Sequence, residues 1–306
     1  MGGLIEILIL GLSLVALYYG AKFVTEGAAY VARVLGISEF VIGATIVAFG
    51  TSLPELASSI LAMLTDAGYP GIVVGNVAGS NIANIGLALG ISGILYNLYI
   101  DRKIIETDVP FLIASTLAFF AAFIDLMVTW LEGVILILMY LAFIHHEVSE
   151  QSKTKVPARE IFDQKYLFIF IGGLILLYLG AKYLISSILE VSVLFGISEA
   201  VVAFVLVSIG TSLPEIVTSV VAAKEGRGDI AMGNVVGSNT FNSLIVLGAS
   251  ALIGTVAVDA SFLNAALFSM VLISLLLGFM LIDNRISRFE GVLLFLIYMV
   301  IILNMV

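Results

Sequence analysis

The chain of 306 residues has no cysteine and few charged residues. The absence of cysteine excludes thiol chemistry, iron–sulfur clusters, thiolate zinc sites and disulfide scaffolds. Charged residues make up 11% of the chain and hydrophobic residues 61%, whereas a soluble domain has about 25% and about 45–50%. This composition excludes a water-soluble globule and an intrinsically disordered chain. The formal net charge of −9 opposes binding to nucleic acid.

Long hydrophobic runs are abundant instead. A transmembrane helix needs about 20 mainly apolar residues, and the chain contains ten such runs in close succession. The predicted spans are residues 3–32, 39–64, 71–98, 104–124, 128–146, 165–192, 198–223, 229–255, 261–282 and 287–305. The sequence therefore predicts an all-α integral membrane protein with ten transmembrane helices.

The basic residues indicate how these spans are oriented. Eleven of the 13 fall in loops on one side of the bundle, namely Arg33, Arg102, Lys103, Lys153, Lys155, Arg159, Lys165, Lys224, Arg227, Arg285 and Arg288. The opposite loops contain no Lys or Arg, so the positive-inside rule places the basic side in the cytoplasm. We expect a multi-pass protein of the cell membrane, with both termini outside and a cytoplasmic linker at residues 147–164.

Two blocks of sequence occur twice. Residues 36–58 match residues 196–218 at an offset of 160, and residues 75–90 match residues 233–248 at an offset of 158. Nine of the sixteen positions in the second block are identical. Chance similarity between apolar runs would not preserve the polar residues of these blocks, so the chain is an internal duplication.

Each copy contains five predicted spans. Because five is an odd number, the second copy must enter the membrane from the opposite side. The predicted architecture is a pair of inverted five-helix repeats, residues 1–146 and 165–306. Secondary transporters with inverted repeats bind their substrate near the membrane midplane, where the repeats meet.

The first duplicated block carries GTSLPE within predicted spans two and seven. A charge at the bilayer centre costs at least about 2.5–3.5 kcal/mol, so Glu55 and Glu215 require a reason to be there. Pro54 and Pro214 cannot donate a backbone hydrogen bond and therefore favour local unwinding of the helix. Candidate oxygen ligands are the freed carbonyl groups around Ala48, Gly50 and Thr51 and around Ser208, Gly210 and Thr211. The side chains of Thr51, Ser52, Thr211 and Ser212 add hydroxyl groups to this set. Such an all-oxygen set is typical of hard cations such as Na⁺ and Ca²⁺.

The second block carries GNVxGSNxxN within predicted spans three and eight. Ser80 and Asn84 are four residues apart and share a helix face, as do Ser238 and Asn242. A single polar face or a single proline in a membrane helix commonly serves only packing or a kink. Two carboxylates beside prolines at equivalent positions of inverted repeats favour ion binding instead.

These residues resemble the sodium/calcium exchangers of the cation/calcium antiporter superfamily. The resemblance rests on GTSLPE and GSNxxN in two copies, covers essentially the whole chain, and is greatest to compact prokaryotic exchangers. It implies four cation positions between broken helices two, three, seven and eight. It also implies that spans one and six slide across the others to expose the site alternately.

The resemblance assigns ligands by position. Ca²⁺ would be held by Glu55 and Glu215 and by the carbonyls of Thr51 and Thr211. Na⁺ would use the same carboxylates, the carbonyls of Ala48 and Ser208, and the side chains of Ser52, Ser80, Ser212, Ser238, Thr51 and Thr211. Asn84 and Asn242 would occupy the remaining central positions.

The implied activity is secondary active antiport of Na⁺ and Ca²⁺, electrogenic at three Na⁺ for each Ca²⁺. The potassium-dependent relatives have Asp at the position of Asn242, so we expect transport without K⁺. Both ions are transported substrates, and no organic cofactor is expected. The expected partners are inorganic cations and the lipid bilayer, with no obligatory protein partner.

Three other functions are alternatives to this one. A proton/calcium antiporter would use the same glutamates, but the proton-coupled relatives have a His near the second glutamate that is absent here. A cation channel would conduct without a counter-ion. An enzyme is the third alternative, but the sequence has no HExxH, GxSxG or paired-aspartate signature.

Overall fold

A computed structural model describes residues 2–64, 70–153, 163–194, 210–258 and 260–305. The first half contains α1 (Gly2–Leu35), α2 (Glu39–Thr51), α3 (Leu53–Leu64), α4 (Pro70–Tyr96), β1 (Leu98–Tyr99), α5 (Arg102–Ala122), β2 (Met127–Val128) and α6 (Trp130–Lys153). The second half contains α7 (Gln164–Leu194), α8 (Leu213–Lys224), α9 (Gly228–Ile253), β3 (Val256–Ala257), α10 (Ala260–Met280), β4 (Arg285–Ile286) and α11 (Arg288–Met305). The prediction of an all-α fold is confirmed, since the only strands among the described residues are these two-residue segments.

The distribution of apolar surface identifies the solvent of the protein. Large apolar side chains such as Leu12, Phe168 and Phe279 are 68%, 70% and 70% exposed. Many such side chains are exposed, which is typical of a surface that faces lipid. Within the described residues, seven helices are long and apolar enough to cross a membrane, or eight if the pair α2 and α3 forms one span. The chain is therefore a multi-pass membrane protein. The count of ten spans stays a prediction, because part of span seven lies outside the described residues and α11, which corresponds to span ten, is not among these eight.

Predicted span two is broken, as the sequence predicts. Helices α2 and α3 are bent by 42° at Ser52, whose φ and ψ are −88° and 7°. The start of α8 has the same geometry, with φ −83° and ψ 1° at Ser212. Pro54 and Pro214 lie in the first turns of α3 and α8, where a helix does not need their missing N–H group.

Helices α4 and α9 differ from the prediction of broken helices three and eight. Each continues as one helical segment through a π-helical turn, at Asn84–Leu89 in α4 and at Asn242–Val246 in α9. A π turn inserts extra backbone without ending the helix, and such turns are frequent at functional sites. The irregularity lies where the sequence predicts it, but it takes the form of a widened turn.

The two halves are joined reciprocally by two short antiparallel ribbons. Strand β1 pairs with β4, with Leu98 opposite Ile286, and β2 pairs with β3, with Val128 opposite Val256. At the repeat offset of 158, β3 is the copy of β1 and β4 is the copy of β2. Each ribbon therefore pairs β1 or its copy with β2 or its copy from the other half. This reciprocal pairing is the pattern expected if the two halves are related by a two-fold axis.

Helices α1 and α7 pack against each other along their length. A Cβ atom at Gly20 would lie 2.8 Å from the backbone nitrogen of Leu177, and one at Gly173 would lie 2.9 Å from the carbonyl oxygen of Gly20. Glycine at these positions lets the two backbones approach closely, as is common between membrane helices. Helix α1 also packs on α8, so the pair borders the centre of the molecule.

Candidate cation site

The two predicted glutamates lie at the centre of the protein. Glu55 is in the first turn of α3 and Glu215 in the first turn of α8, and both are 0% exposed. The N-terminus of a helix stabilises a negative charge, because its free N–H groups and its dipole point toward that charge. The starts of the two helices lie together, because Ser52, the residue before α3, contacts Glu215 of α8. The starts of α3 and α8 therefore bring two acidic groups to one buried region.

Hydroxyl groups from both halves surround these carboxylates. Ser52 donates a hydrogen bond from Oγ to Oε1 of Glu215 at 2.9 Å. Ser80 donates from Oγ to Oε1 of Glu55 at 3.4 Å, and its Oγ also lies 3.3 Å from Oγ1 of Thr211. Because the bond of Ser52 crosses from one half to the other, the two copies of the motif form one cluster.

Asn76 and Asn234 are contacts that the sequence reasoning missed. Nδ2 of Asn76 donates to the carbonyl of Glu55 at 3.0 Å, and Oδ1 accepts from Thr211 at 3.2 Å. Asn234 repeats this arrangement, donating to the carbonyl of Glu215 at 3.3 Å and accepting from Thr51 at 3.2 Å. Each asparagine thus fastens the glutamate helix of its own half to the threonine of the other half.

Asn84 and Asn242 meet a second pair of asparagines that the sequence reasoning also missed. Nδ2 of Asn84 donates to Oδ1 of Asn239 at 3.0 Å, and Nδ2 of Asn242 donates to Oδ1 of Asn81 at 3.2 Å. All four missed asparagines belong to the duplicated GNVxGSN segment. Their identity in both copies was a signal that was available in the sequence.

Several buried oxygen atoms of the cluster have no hydrogen-bond partner among the described residues. They are Oε2 of Glu55 and Glu215, Oδ1 of Asn84 and Asn242, and Oγ of Ser212 and Ser238. A buried acceptor without a partner costs about 1–3 kcal/mol, and here six occur in residues of one duplicated pair of motifs. A cation that is coordinated by oxygen would satisfy the carboxylate and amide oxygens together.

The sequence also predicts that backbone carbonyl groups near the helix break are free to bind a cation, and the carbonyl of Ala48 tests this prediction. The carbonyl of Ala48 accepts the N–H group of Ser52 at 2.9 Å and lies 3.3 Å from the hydroxyl of Thr51. The expectation that the proline frees this carbonyl is therefore wrong for the described conformation. Pro54 lacks the N–H group that would bind the carbonyl of Gly50, four residues earlier, so the bond from Ser52 to Ala48 is not the one that the proline removes. Ser208, the equivalent position, lies outside the described residues.

An apolar cavity of about 400 Å³ lies between α7 and the helix break. It is lined by Gly50, Thr51, Leu53, Pro54, Ala57, Leu174, Ile175, Leu177, Tyr178 and Pro214. Thr51 and both prolines thus face a space beside the cluster. Helix α7 is the element that covers this side of the site.

Comparisons with known proteins agree with this geometry. The family model described as sodium/calcium exchanger protein matches residues 5–147 and 165–306. The chain is 35% identical to the sodium/calcium exchanger MaX1 of Methanosarcina acetivorans, covering 96% of each chain. It is 33% identical to an uncharacterized membrane protein of Methanocaldococcus jannaschii, again covering 96% of each.

A similar structure has also been solved. The sodium-calcium exchanger NCX_Mj, soaked with 100 mM Na⁺ and 10 mM Sr²⁺, superposes with a TM-score of 0.87 at 32% sequence identity. The superposition covers 99% of this chain and 99% of that one. The similarity extends over the whole fold.

Proposed function

The chain belongs to the sodium/calcium exchanger protein family, and from this premise we propose that it exchanges Na⁺ for Ca²⁺ across the membrane. Transport is secondary and active, since the gradient of one ion drives the other. The ions are substrates of the protein, and the proposed mechanism uses no organic cofactor.

The observation that carries this proposal is the set of unpartnered buried oxygens around Glu55 and Glu215. Two carboxylates, two amide oxygens and two hydroxyls offer only oxygen ligands, which hard cations prefer over nitrogen or sulfur. The carboxylates come from both halves, so a bound ion interacts with both helix breaks at once. A movement of the helices that cover these breaks would then change access to the bound ion.

We assign the ligands as follows. Ca²⁺ interacts with the carboxylates of Glu55 and Glu215 and with the carbonyls of Thr51 and Thr211. The Na⁺ ligands are the same carboxylates, the carbonyls of Ala48 and Ser208, and the side chains of Thr51, Thr211, Ser52, Ser212, Ser80 and Ser238. Asn84 and Asn242 complete the centre. Binding of Na⁺ at Ala48 requires the hydroxyl of Thr51 to turn away from that carbonyl.

Charge counting is consistent with electrogenic exchange. The two carboxylates carry two negative charges, which one Ca²⁺ or two Na⁺ neutralise. A third Na⁺ gives the loaded site a positive charge, so exchange of three Na⁺ for one Ca²⁺ moves charge across the membrane. The empty site retains two buried negative charges, and this cost disfavours movement of the unloaded protein. Such a penalty couples the two ion fluxes.

The proposed architecture is two inverted five-helix repeats, residues 1–146 and 165–306, with a cytoplasmic linker at 147–164 and both termini outside. Helices α1 and α7 form the moving pair of an alternating-access cycle. Two observations support this choice: the two helices pack on each other through glycines, and α7 borders the cavity beside the helix break. Sliding of the pair would open or cover the site.

The test is uptake of radioactive Ca²⁺ into proteoliposomes that contain the purified protein. We expect an outward Na⁺ gradient to drive uptake, and an outward proton gradient without Na⁺ to drive none. We also expect the same uptake with and without K⁺, because Asn242 supplies no third carboxylate. Uptake driven by protons alone would support the proton/calcium alternative, and flux without a counter-ion would support a channel. A strict K⁺ requirement would overturn the assignment at Asn242.

A further inference from the structure

We propose that Asn81 and Asn239 are positioning residues that fix the amide orientation of Asn242 and Asn84. Through this contact, the amide oxygens of Asn84 and Asn242 face the cation and their NH₂ groups face away from it. The inference rests on the proposed function, because it assigns the purpose of the contact to ion binding.

The orientation of Asn81 and Asn239 follows from their backbone partners. Nδ2 of Asn81 donates to the carbonyl oxygen of Asn239 at 3.2 Å, and Nδ2 of Asn239 donates to the carbonyl oxygen of Asn81 at 3.1 Å. A backbone carbonyl only accepts hydrogen bonds, so each side chain must turn its NH₂ group toward it. Asn81 is 1% exposed and Asn239 is 0% exposed, so bulk water does not compete for these bonds.

This orientation dictates that of the next two side chains. With NH₂ committed to a carbonyl, the remaining end of Asn81 and Asn239 is the acceptor Oδ1. The group facing Oδ1 must then be a donor, and it is Nδ2 of Asn242 at 3.2 Å and of Asn84 at 3.0 Å. An amide has one oxygen and one nitrogen, so the free end of Asn84 and Asn242 is Oδ1. Both of these oxygens are buried and have no partner in the described part of the chain.

The consequence for a cation is large because an amide has two unlike ends. Oδ1 attracts a cation, whereas the N–H groups of a flipped amide would point positive hydrogens at it. A carboxylate at the same position would present oxygen in either orientation. A centre with two neutral amides therefore needs other groups to hold them, and Asn81 and Asn239 supply that hold across the two halves. Partners of this kind typically change metal affinity about 10–100-fold when they are removed.

The test is a double-mutant cycle that uses the difference between amide and carboxylate. Binding of Ca²⁺ to purified protein is measured for Asn81→Ala in the native background and in the Asn242→Asp background. We expect about a 10–100-fold loss of affinity in the native background. In the Asn242→Asp background we expect little or no loss, because a rotated carboxylate still presents an oxygen. A role of Asn81 in packing alone would reduce affinity equally in both backgrounds.

A matched control comes from Ser243. Nδ2 of Asn81 also donates to Oγ of Ser243 at 2.8 Å, and this serine is 0% exposed. Ser243→Ala removes a buried hydrogen bond of Asn81 but leaves its Oδ1 bound to Asn242, so we expect affinity close to that of the unsubstituted protein. The midpoint of thermal unfolding without Ca²⁺ shows which variants fold.

The mirror cycle, Asn239→Ala with and without Asn84→Asp, gives the same test if Asn81→Ala does not fold. Equal losses in both backgrounds would overturn the inference and leave the proposed function standing. Absence of Ca²⁺ binding by the unsubstituted protein would overturn the proposed function and the inference with it. Rescue by the carboxylate in either cycle supports the inference.

Discussion

The two halves of the chain have similar backbone angles at Ser52 and Ser212 but different hydrogen bonds. Ser52 and Ser212 have nearly equal φ and ψ values. The hydroxyl of Ser52 donates to Glu215, whereas that of Ser212 has no partner among the described residues. Ser80 likewise donates to Glu55, whereas Ser238 has no partner in the same part of the chain.

The bond from Ser52 to Glu215 indicates that the two copies of the motif form one cluster shared between the halves. If each copy formed its own site, Ser52 would bind Glu55 of the same half, and not Glu215. Instead, both glutamates are held by serines of the first half, and the serine hydroxyls of the second half remain available. The hydrogen bonds of the proposed cation site are therefore asymmetric even though the sequence that builds it is repeated.

The largest expected effect tests whether the site is shared. Glu55→Gln and Glu215→Gln should each abolish Na⁺-driven Ca²⁺ uptake. The two losses should be equal, because each substitution removes half of the negative charge of one proposed site. Removing one partner of a buried charge interaction costs about 2–5 kcal/mol, which is more than tenfold in affinity. Glu106→Gln is the control, since Glu106 is an exposed glutamate of α5 paired with Arg102.

Uptake in proteoliposomes and Ca²⁺ binding should both report the loss. Normal exchange by either glutamine variant would contradict the site assignment. A loss in one variant with full activity in the other would indicate two separate sites, one in each half.

A smaller effect separates the four buried serines. Ser212→Ala and Ser238→Ala should weaken ion binding severalfold without changing the thermal stability of the ion-free protein, since they break no hydrogen bond among the described residues. Ser52→Ala and Ser80→Ala should also lower that stability, because a hydrogen bond to a charged group contributes about 1.5–3 kcal/mol. Thermal unfolding with and without Ca²⁺ measures both quantities. Equal changes in stability and in ion binding for all four variants would contradict the asymmetry of the hydrogen bonds.

Much of the fold could be predicted from hydrophobic length and duplication. The predicted spans 71–98 and 104–124 correspond to α4 (Pro70–Tyr96) and α5 (Arg102–Ala122). The break before Pro54 was predictable because proline removes a backbone donor. Glu55 and Glu215 were predictable as candidate site residues because a charge at the bilayer centre is costly unless it has a function.

The hydrogen bonds of the site could not be predicted in the same way. Asn81 and Asn239 are 158 residues apart in the chain, and their contact depends on how two π-containing helices cross. The direction of an amide depends on which neighbour only accepts, and that neighbour is a backbone carbonyl that no sequence pattern marks. At Ala48 the sequence pattern predicted a free carbonyl, but this carbonyl accepts a hydrogen bond from the N–H group of Ser52.

The central claim is that Glu55 and Glu215 hold one cation between the two halves. The most direct measurement is a crystal structure of the protein soaked with Sr²⁺, in which anomalous scattering locates the ion. We expect one strong peak within coordination distance of both carboxylates, with the amide oxygens of Asn84 and Asn242 turned toward the centre. A peak beside only one glutamate, or two separate peaks related by the repeat, would contradict it.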